Sequence, residues 1–231
     1  MHVSIVIPCF NESKTIKEII NKINSSLKKY QFEILIIDDY SSDGSIDILN
    51  EITSENKNIR VLSNSRNLGK GASLRRGFKE ARGDIICIQD ADLEYDPCDL
   101  TKMIDLVLDG TADAVIGSRF RGNGPVRANL FINRLANFII TTLTNIFTNL
   151  SLTDIECCYK VFKKDDIQKI NLKENRFGIE PELTIKLAKL NLKIFEVGIS
   201  YYGRTKDEGK KIGFIDGLRA IYCIFRYSLF K

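Results

Sequence analysis

Ile85-Ile86-Cys87-Ile88-Gln89-Asp90-Ala91-Asp92-Leu93-Glu94 is an apolar run that ends in two carboxylates one residue apart. Gly83-Asp84 opens it as a turn, and Tyr95-Asp96-Pro97 closes it before the next helical pattern. Unbroken apolar runs of this kind mark strands buried on both faces, and in open α/β sheets ligands sit beyond the carboxyl ends of such strands. Asp90 and Asp92 are therefore expected at the mouth of a site, with Glu94 within reach of the same place. Three oxygen donors suit a hard cation, Mg²⁺ or Mn²⁺, and not zinc. A solvated acidic turn after a strand has the same local pattern, so the rest of the chain must decide.

Working outward, the same alternation recurs on both sides. Residues 3–7 read as a strand stopped by Pro8, with Asn11 and Ser13 as caps for a helix bearing Ile16, Ile19, Ile20, Ile23 and Leu27. Residues 33–37 form a second strand ending in Asp38-Asp39, and Ser41-Ser42-Asp43-Gly44 turns the chain into a second helix. A third strand at 59–62 leads through Asn67-Leu68-Gly69-Lys70-Gly71 into a helix with Leu74 and Phe78. After the quoted stretch come a helix closed by Gly110 and a fifth strand at 114–116. Five alternations with short connections specify a parallel, doubly wound α/β sheet with right-handed crossovers. Its two acid-tipped strands open on the same edge.

The second half has another character. Residues 135–153 carry no charge and are rich in Phe, Ile and Leu, yet include Asn137, Thr141, Thr142, Thr144, Asn145, Thr148 and Asn149. That is too polar for a membrane span and too uncharged for an ordinary surface helix. A helix lying on a membrane, one covered by a partner, and a core helix all fit. Residues 177–188 read as a helix, 193–197 as a strand, and 214–230 as an amphipathic helix with Arg219 and Arg226, suited either to an anionic lipid surface or to packing on the domain. The polar, glycine-bounded loop 203–213, with Lys206, Asp207, Glu208, Lys210 and Lys211, could order on substrate binding or stay a disordered connection.

A chain of 231 residues, 44% hydrophobic, is enough for one full-sized core, so a single domain is expected over 1–231. A net charge of +4 without a basic arm fits an anionic ligand or membrane surface and argues against nucleic acid. Six cysteines without a C-x-x-C pair, and no signal peptide, point to a reduced, cytoplasmic chain. The single histidine, His2, excludes Ser-His-Asp and Cys-His catalysis and His-based zinc sites. Gly69, Gly71 and Gly77 match neither the P-loop nor the dinucleotide fingerprint. What they leave is a helix N-terminus with Lys70, Arg75 and Arg76, which favours anions.

Pro8-Cys9-Phe10-Asn11-Glu12, Asp38-Asp39-Tyr40-Ser41-Ser42-Asp43-Gly44, Asn67-Leu68-Gly69-Lys70-Gly71, Asp90-Ala91-Asp92 and Gly117-Ser118-Arg119 occur in that order. Together they resemble the family 2 glycosyltransferases of the GT-A fold, in the branch of dolichol- or polyprenyl-phosphate sugar synthases. Thr153-Asp154-Ile155-Glu156-Cys157-Cys158-Tyr159-Lys160-Val161-Phe162 and Tyr201-Tyr202-Gly203-Arg204-Thr205 are similar to motifs of bacterial members.

The resemblance implies a GT-A, Rossmann-like, mostly parallel sheet flanked by helices, with amphipathic helices at the C-terminal end. Residues 1–120 would bind the nucleotide-sugar donor and 121–231 the acceptor. Pro8, Phe10, Glu12, Asp38, Asp39, Asp43, Lys70 and Asp90 would hold the nucleotide, and Asp90, Asp92 and Glu94 the Mg²⁺ or Mn²⁺. Glu94 stands where relatives often have Gln. Asp90, Asp92 and Arg119 would be catalytic, and Arg119, Arg134, Asp154, Glu156, Arg204 and Lys210 would meet the acceptor, with Lys210 or Lys211 on a closing loop. The loop form at Asn67-Leu68-Gly69-Lys70-Gly71 favours a UDP-sugar over a GDP-sugar.

The implied activity is metal-dependent transfer of a hexose, with inversion, to a polyprenyl or dolichyl phosphate at the cytoplasmic face of a membrane. No transmembrane anchor is visible after Lys231, so contact would be peripheral or through a partner. A phosphate acceptor is already an anion and needs no base, whereas a sugar hydroxyl would need Asp154 or Glu156 to take its proton. That glycan-extending transferase is the alternative. A nucleotidyltransferase, releasing pyrophosphate, and a non-catalytic nucleotide-binding scaffold are more remote ones.

Overall fold

Along the first half, strands and helices alternate as expected: β1 (Val3–Cys9), α1 (Ile16–Ser26), β2 (Phe32–Asp38), α2 (Ser45–Glu55), β3 (Ile59–Ser63), α3 (Lys70–Glu80), β4 (Ile85–Ile88), α4 (Cys98–Leu108) and β5 (Ala114–Ser118). The second half adds α5 (Phe131–Thr148), β6 (Lys160–Lys163), α6 (Lys164–Ile167), α7 (Ile179–Ala188), β7 (Ile194–Gly198) and α8 (Phe214–Leu229). This computed structural model describes residues 1–122, 124–128, 130–205 and 213–230. Lys206, Asp207, Glu208, Lys210 and Lys211 of the expected closing loop, and Lys231, lie outside the described residues.

Among the described residues seven strands make one sheet in the order β3-β2-β1-β4-β6-β5-β7. All neighbours are parallel except β6, which runs antiparallel between β4 and β5. The sheet is thus mostly parallel, as expected, with β6 the antiparallel strand among the described residues. β6 is four residues long and flanked by loop and a short helix, so its sequence carries no alternation to betray it. β1 pairs with β2 on one side and β4 on the other, so the chain changes direction across the sheet there. The carboxyl ends of these three strands form the crevice in which doubly wound folds bind ligands.

Two local expectations are corrected. Pro8 does not stop β1; it stays in register with Ile37 of β2 and lies beyond the pairing with β4, which ends at Val6 and Ile88. Asn11 and Ser13 do not cap α1, which begins at Ile16 after Thr15 with no side-chain cap. Asn11 instead takes a left-handed φ of 52° and accepts a hydrogen bond from Ser42 N through its side-chain oxygen, tying the β1–α1 loop to the β2–α2 loop.

The main core lies on both faces of the sheet, packed by Ile, Leu and Val from β1, β2 and β4 and by α1, α3 and α4. A smaller cluster gathers Ile140, Ile155, Ile185, Cys223 and Ile224 beneath α5, α7 and α8. None of the six cysteines forms a disulfide among the described residues; five are buried and Cys98 is exposed.

α5 is turned inside out relative to an ordinary surface helix. Its buried side carries Asn137, Ile140, Thr141 and Thr144. Its outward side carries Phe131, Ile132, Leu135, Phe138, Ile139, Ile146 and Phe147, with Phe131 77% exposed. α8 packs beside it, Phe225 meeting Phe147 edge-on at 5.4 Å, and exposes Ile215, Leu218 and Tyr222. No helix among the described residues is long and apolar enough to cross a membrane.

Candidate active site

β2 ends in Asp38 and Asp39, both buried, and they serve different ends. Asp39 accepts hydrogen bonds from Asn64 Nδ2 at 2.8 Å, Leu68 N at 2.9 Å and Gly69 N at 2.7 Å. Its carboxylate thus shapes the loop that starts α3. Asp38 accepts from Ser41 N at 3.3 Å through Oδ2, while its Oδ1 is buried with no donor among the described residues. A buried acceptor left open at a strand tip marks where a ligand N–H or O–H would be met. Pro8 and Phe10 flank it at the end of β1, both partly exposed.

Asp43, expected at the nucleotide, braces instead. It accepts from Ser45 N and Oγ and from Ser13 N, and these bonds outweigh burial and pull its carboxyl down to about 2. The start of α3 is clamped onto residues 174–176 by close approach of backbone. A Cβ at Gly71 would lie 2.4 Å from the Glu174 carbonyl oxygen, and one at Gly69 2.4 Å from that of Asn175. Only glycine fits, and at Gly69 a φ of 97° adds a second reason.

At the end of β4, Asp90 and Asp92 each face a cation. Lys70, the first residue of α3, lies 2.8 Å from Asp90 Oδ1. Arg204 donates to Asp92 Oδ2 at 2.7 Å and reaches both carboxylate oxygens of Glu12 at 3.3 and 3.4 Å. Burial, then the charges of Asp90 and Glu94, push the Asp92 carboxyl up to about 7 despite Arg204. This corner is short of positive charge. Two carboxylates with oxygen donors alone fit a hard divalent cation.

Glu94 does not join them. It accepts from Tyr201 OH at 3.0 Å and Arg204 N at 2.6 Å, and its carbonyl accepts from Tyr202 N. Among the described residues no three acid, thiol or imidazole groups converge as a metal cage. In this structure the expected third ligand anchors the segment carrying Arg204, with bonds on both of its oxygens.

A second group forms behind β5. Arg119 grips Asp154 through Nε at 2.6 Å and Nη2 at 2.8 Å, and its backbone N–H donates to the same carboxylate. Asp154 has 0% exposure. A carboxylate so enclosed is no proton acceptor for a substrate, which corrects its reading as a general base. Arg119 and Arg134 lie 5.7 and 5.6 Å from the centre of the Phe120 ring, and Arg119 also covers Tyr201. Glu156 differs: its Oε1 is buried without a donor among the described residues. Burial, then the charge of Glu180, raises its carboxyl to about 7, against Lys160 and Arg119. Lys210 lies outside the described residues.

Glu180 and Asn64 escaped the sequence reading, and Lys160 and Tyr201, though within motifs similar to those of bacterial members, were given no role there. One signal was available for Lys160 and Glu180: charged residues inside otherwise apolar runs, Lys160 after Cys157-Cys158-Tyr159 and Glu180 after Gly178-Ile179.

Residues 4–170 match the family model described as glycosyl transferase family 2. The chain is 29% identical over 99% of its length to dolichol-phosphate mannosyltransferase of Pyrococcus furiosus, of which it spans 65%. It is 27% identical, again over 99%, to undecaprenyl-phosphate mannosyltransferase of Micrococcus luteus, spanning 95% of that protein. Among solved structures, glucosyl-3-phosphoglycerate synthase from Mycobacterium tuberculosis with Mn²⁺, UDP and phosphoglyceric acid superposes with a TM-score of 0.74 at 20% identity, covering 100% of this chain and 79% of that one. Its complex with Mg²⁺ and UDP gives 0.74 at 18%, covering 100% and 80%. At those identities the likeness is one of fold.

Proposed function

From the premise that this chain belongs to glycosyl transferase family 2 and has the GT-A fold, we propose that it transfers a hexose from a UDP- or GDP-sugar to a polyprenyl or dolichyl phosphate. The observation that carries the reading is the pair Asp90 and Asp92 at the carboxyl end of β4, on the same sheet edge as the open Oδ1 of Asp38 at the end of β2, with β1 between them. Together they offer a nucleotide contact and a place for its diphosphate in one crevice. The names of the Pyrococcus and Micrococcus relatives support a lipid phosphate as the acceptor.

In this reading residues 1–120 take the donor and 121–231 the acceptor. Pro8, Phe10, Glu12, Asp38 and Asp39 bound the nucleotide pocket, Asp39 by setting the loop rather than by offering a free carboxylate. Asp90 and Asp92 would hold Mg²⁺ or Mn²⁺, which when bound offsets charge on the diphosphate. Lys70 supplies a fixed cation at the same place, which favours the diphosphate as it departs. Arg134 and Arg204 face the incoming phosphate, and Asp154 holds Arg119 in a fixed orientation near them. An acceptor phosphate is already charged, so inversion by single displacement needs no base. The outward apolar side of α5 and α8, with Arg134 and Arg226 on the same helices, supports peripheral contact with the membrane that carries such a lipid.

One observation favours a second reading, a transferase that extends a glycan. Glu156, with an open oxygen and a carboxyl near 7, has the properties of a general base.

Nucleoside-diphosphate release decides between them, using a panel of UDP- and GDP-sugars with Mn²⁺ or Mg²⁺. Release that requires a short polyprenyl phosphate supports the first reading and names the donor. Release driven by a sugar acceptor and lost in Glu156→Gln supports the second. Pyrophosphate as the product, or no donor binding, sinks both.

A further inference from the structure

Behind Asp90 four side chains of alternating charge run into the core: Asp90, Lys70, Glu180 and Lys160. Lys160 has 0% exposure, and its ammonium donates to the carbonyls of Ile155 at 3.2 Å and Cys157 at 2.5 Å and to Glu180 Oε2. Those three acceptors match its three donors, so Lys160 is fully committed. Glu180 sits in the first turn of α7 and is buried. Its second oxygen, Oε1, makes no hydrogen bond but lies 3.2 Å from Lys70 Nζ. Lys70 in turn straddles the Asp90 carboxylate, 2.8 Å from Oδ1 and 3.1 Å from Oδ2.

Each link spans separate elements: β6 to α7, α7 to α3, α3 to the tip of β4. A lysine alone with Asp90 would be a flexible stem free to close onto that carboxylate and neutralise it. Glu180 draws the ammonium back from the far side. Lys70 is thereby held between two carboxylates as a fixed positive charge, and each Asp90 oxygen keeps a lone pair for a cation. Burying a charged chain of this kind is costly unless each member is paired, and here the charges alternate to neutrality.

We propose that Glu180, pinned by Lys160, is a positioning residue that holds Lys70 and Asp90 as a fixed pair for the terminal phosphate of the nucleoside diphosphate. The inference rests on the donor reading above, and it predicts an effect confined to that phosphate.

The test is calorimetric binding of UDP, GDP, UMP and GMP with Mn²⁺. Glu180→Gln alone leaves Lys160 buried without its partner and is expected to unfold more easily, so the informative protein is the double variant Glu180→Gln with Lys160→Gln. Its folding is checked by thermal unfolding. In this variant the preference for the diphosphate over the monophosphate should fall about tenfold, with monophosphate affinity changed little. Glu180→Asp, which keeps the charge but shortens the reach, should fall between. A double variant that folds and keeps the wild-type preference, or loses both nucleotides equally, overturns the positioning role. Wild-type protein that binds neither UDP nor GDP overturns the donor reading instead, and this inference with it.

Discussion

The guanidinium of Arg204 lies 2.7 Å from the Asp92 carboxylate, joining residues 112 positions apart in sequence. It fills with a side-chain cation the place at which the proposed donor complex needs a divalent one, and Glu94 tethers its backbone there. Asp92→Asn should therefore reduce nucleoside-diphosphate release by about a hundredfold or more, the scale on which such electrostatic contacts act. Arg204→Gln should bind Mn²⁺ at least as well as wild type without nucleotide, because its competitor is gone, while losing turnover. Titration of Mn²⁺ by calorimetry checks the first half of that statement; weaker Mn²⁺ binding in Arg204→Gln would show that the arginine supports the cation and does not compete with it.

Asp154 is enclosed by three donors from Arg119. Removing its charge leaves a buried guanidinium without its partner, so Asp154→Asn should cost about 3 kcal/mol of stability. Urea unfolding measures this. A variant with unchanged stability but no turnover would restore Asp154 as a proton acceptor.

Glu156 has its carboxyl raised to about 7 by burial and by Glu180, from an ordinary value of 4.5. Between those values the folded chain holds a proton that the unfolded chain releases, so stability falls as pH rises from about 4.5 to about 7 and is level above. Glu156→Gln removes that penalty. It should unfold at higher temperature than wild type at pH 8, by the equivalent of about 3 kcal/mol, and nearly with it at pH 4.5. Equal stability of the two proteins at both pH values would show the carboxyl to be unperturbed.

Phe131 and Phe138 stand on the outward side of α5, where they support nothing in the core. Phe131→Ser with Phe138→Ser should keep stability and nucleotide binding while reducing co-sedimentation with vesicles containing anionic lipid several-fold. Unchanged sedimentation would move the lipid contact elsewhere.

Much of this was legible in the chain. The apolar run at 85–88 with its two acids, the repeated strand–helix rhythm and the two acid-tipped strands are local patterns, and local patterns survive being read one residue at a time. Asp39 and Asp43 show where that stops. Both look like ligand groups in sequence, yet one shapes the α3 loop through N–H groups of a distant segment, and the other braces α2 through neighbouring Ser45 and distant Ser13.

By itself the sequence determined the α/β alternation and the crevice at the ends of β1, β2 and β4, since apolar periodicity dictates which segments must be buried and short connections dictate their order. Only the tertiary structure decided that β6 runs antiparallel, that Glu94 serves Tyr201 and Arg204, that Arg119 belongs to Asp154, and that Glu180 stands behind Lys70. Those are choices of partner between residues far apart in the chain. A carboxylate takes whichever donor the packed elements bring within 3 Å or so, and nothing in its own neighbourhood of sequence specifies which that will be.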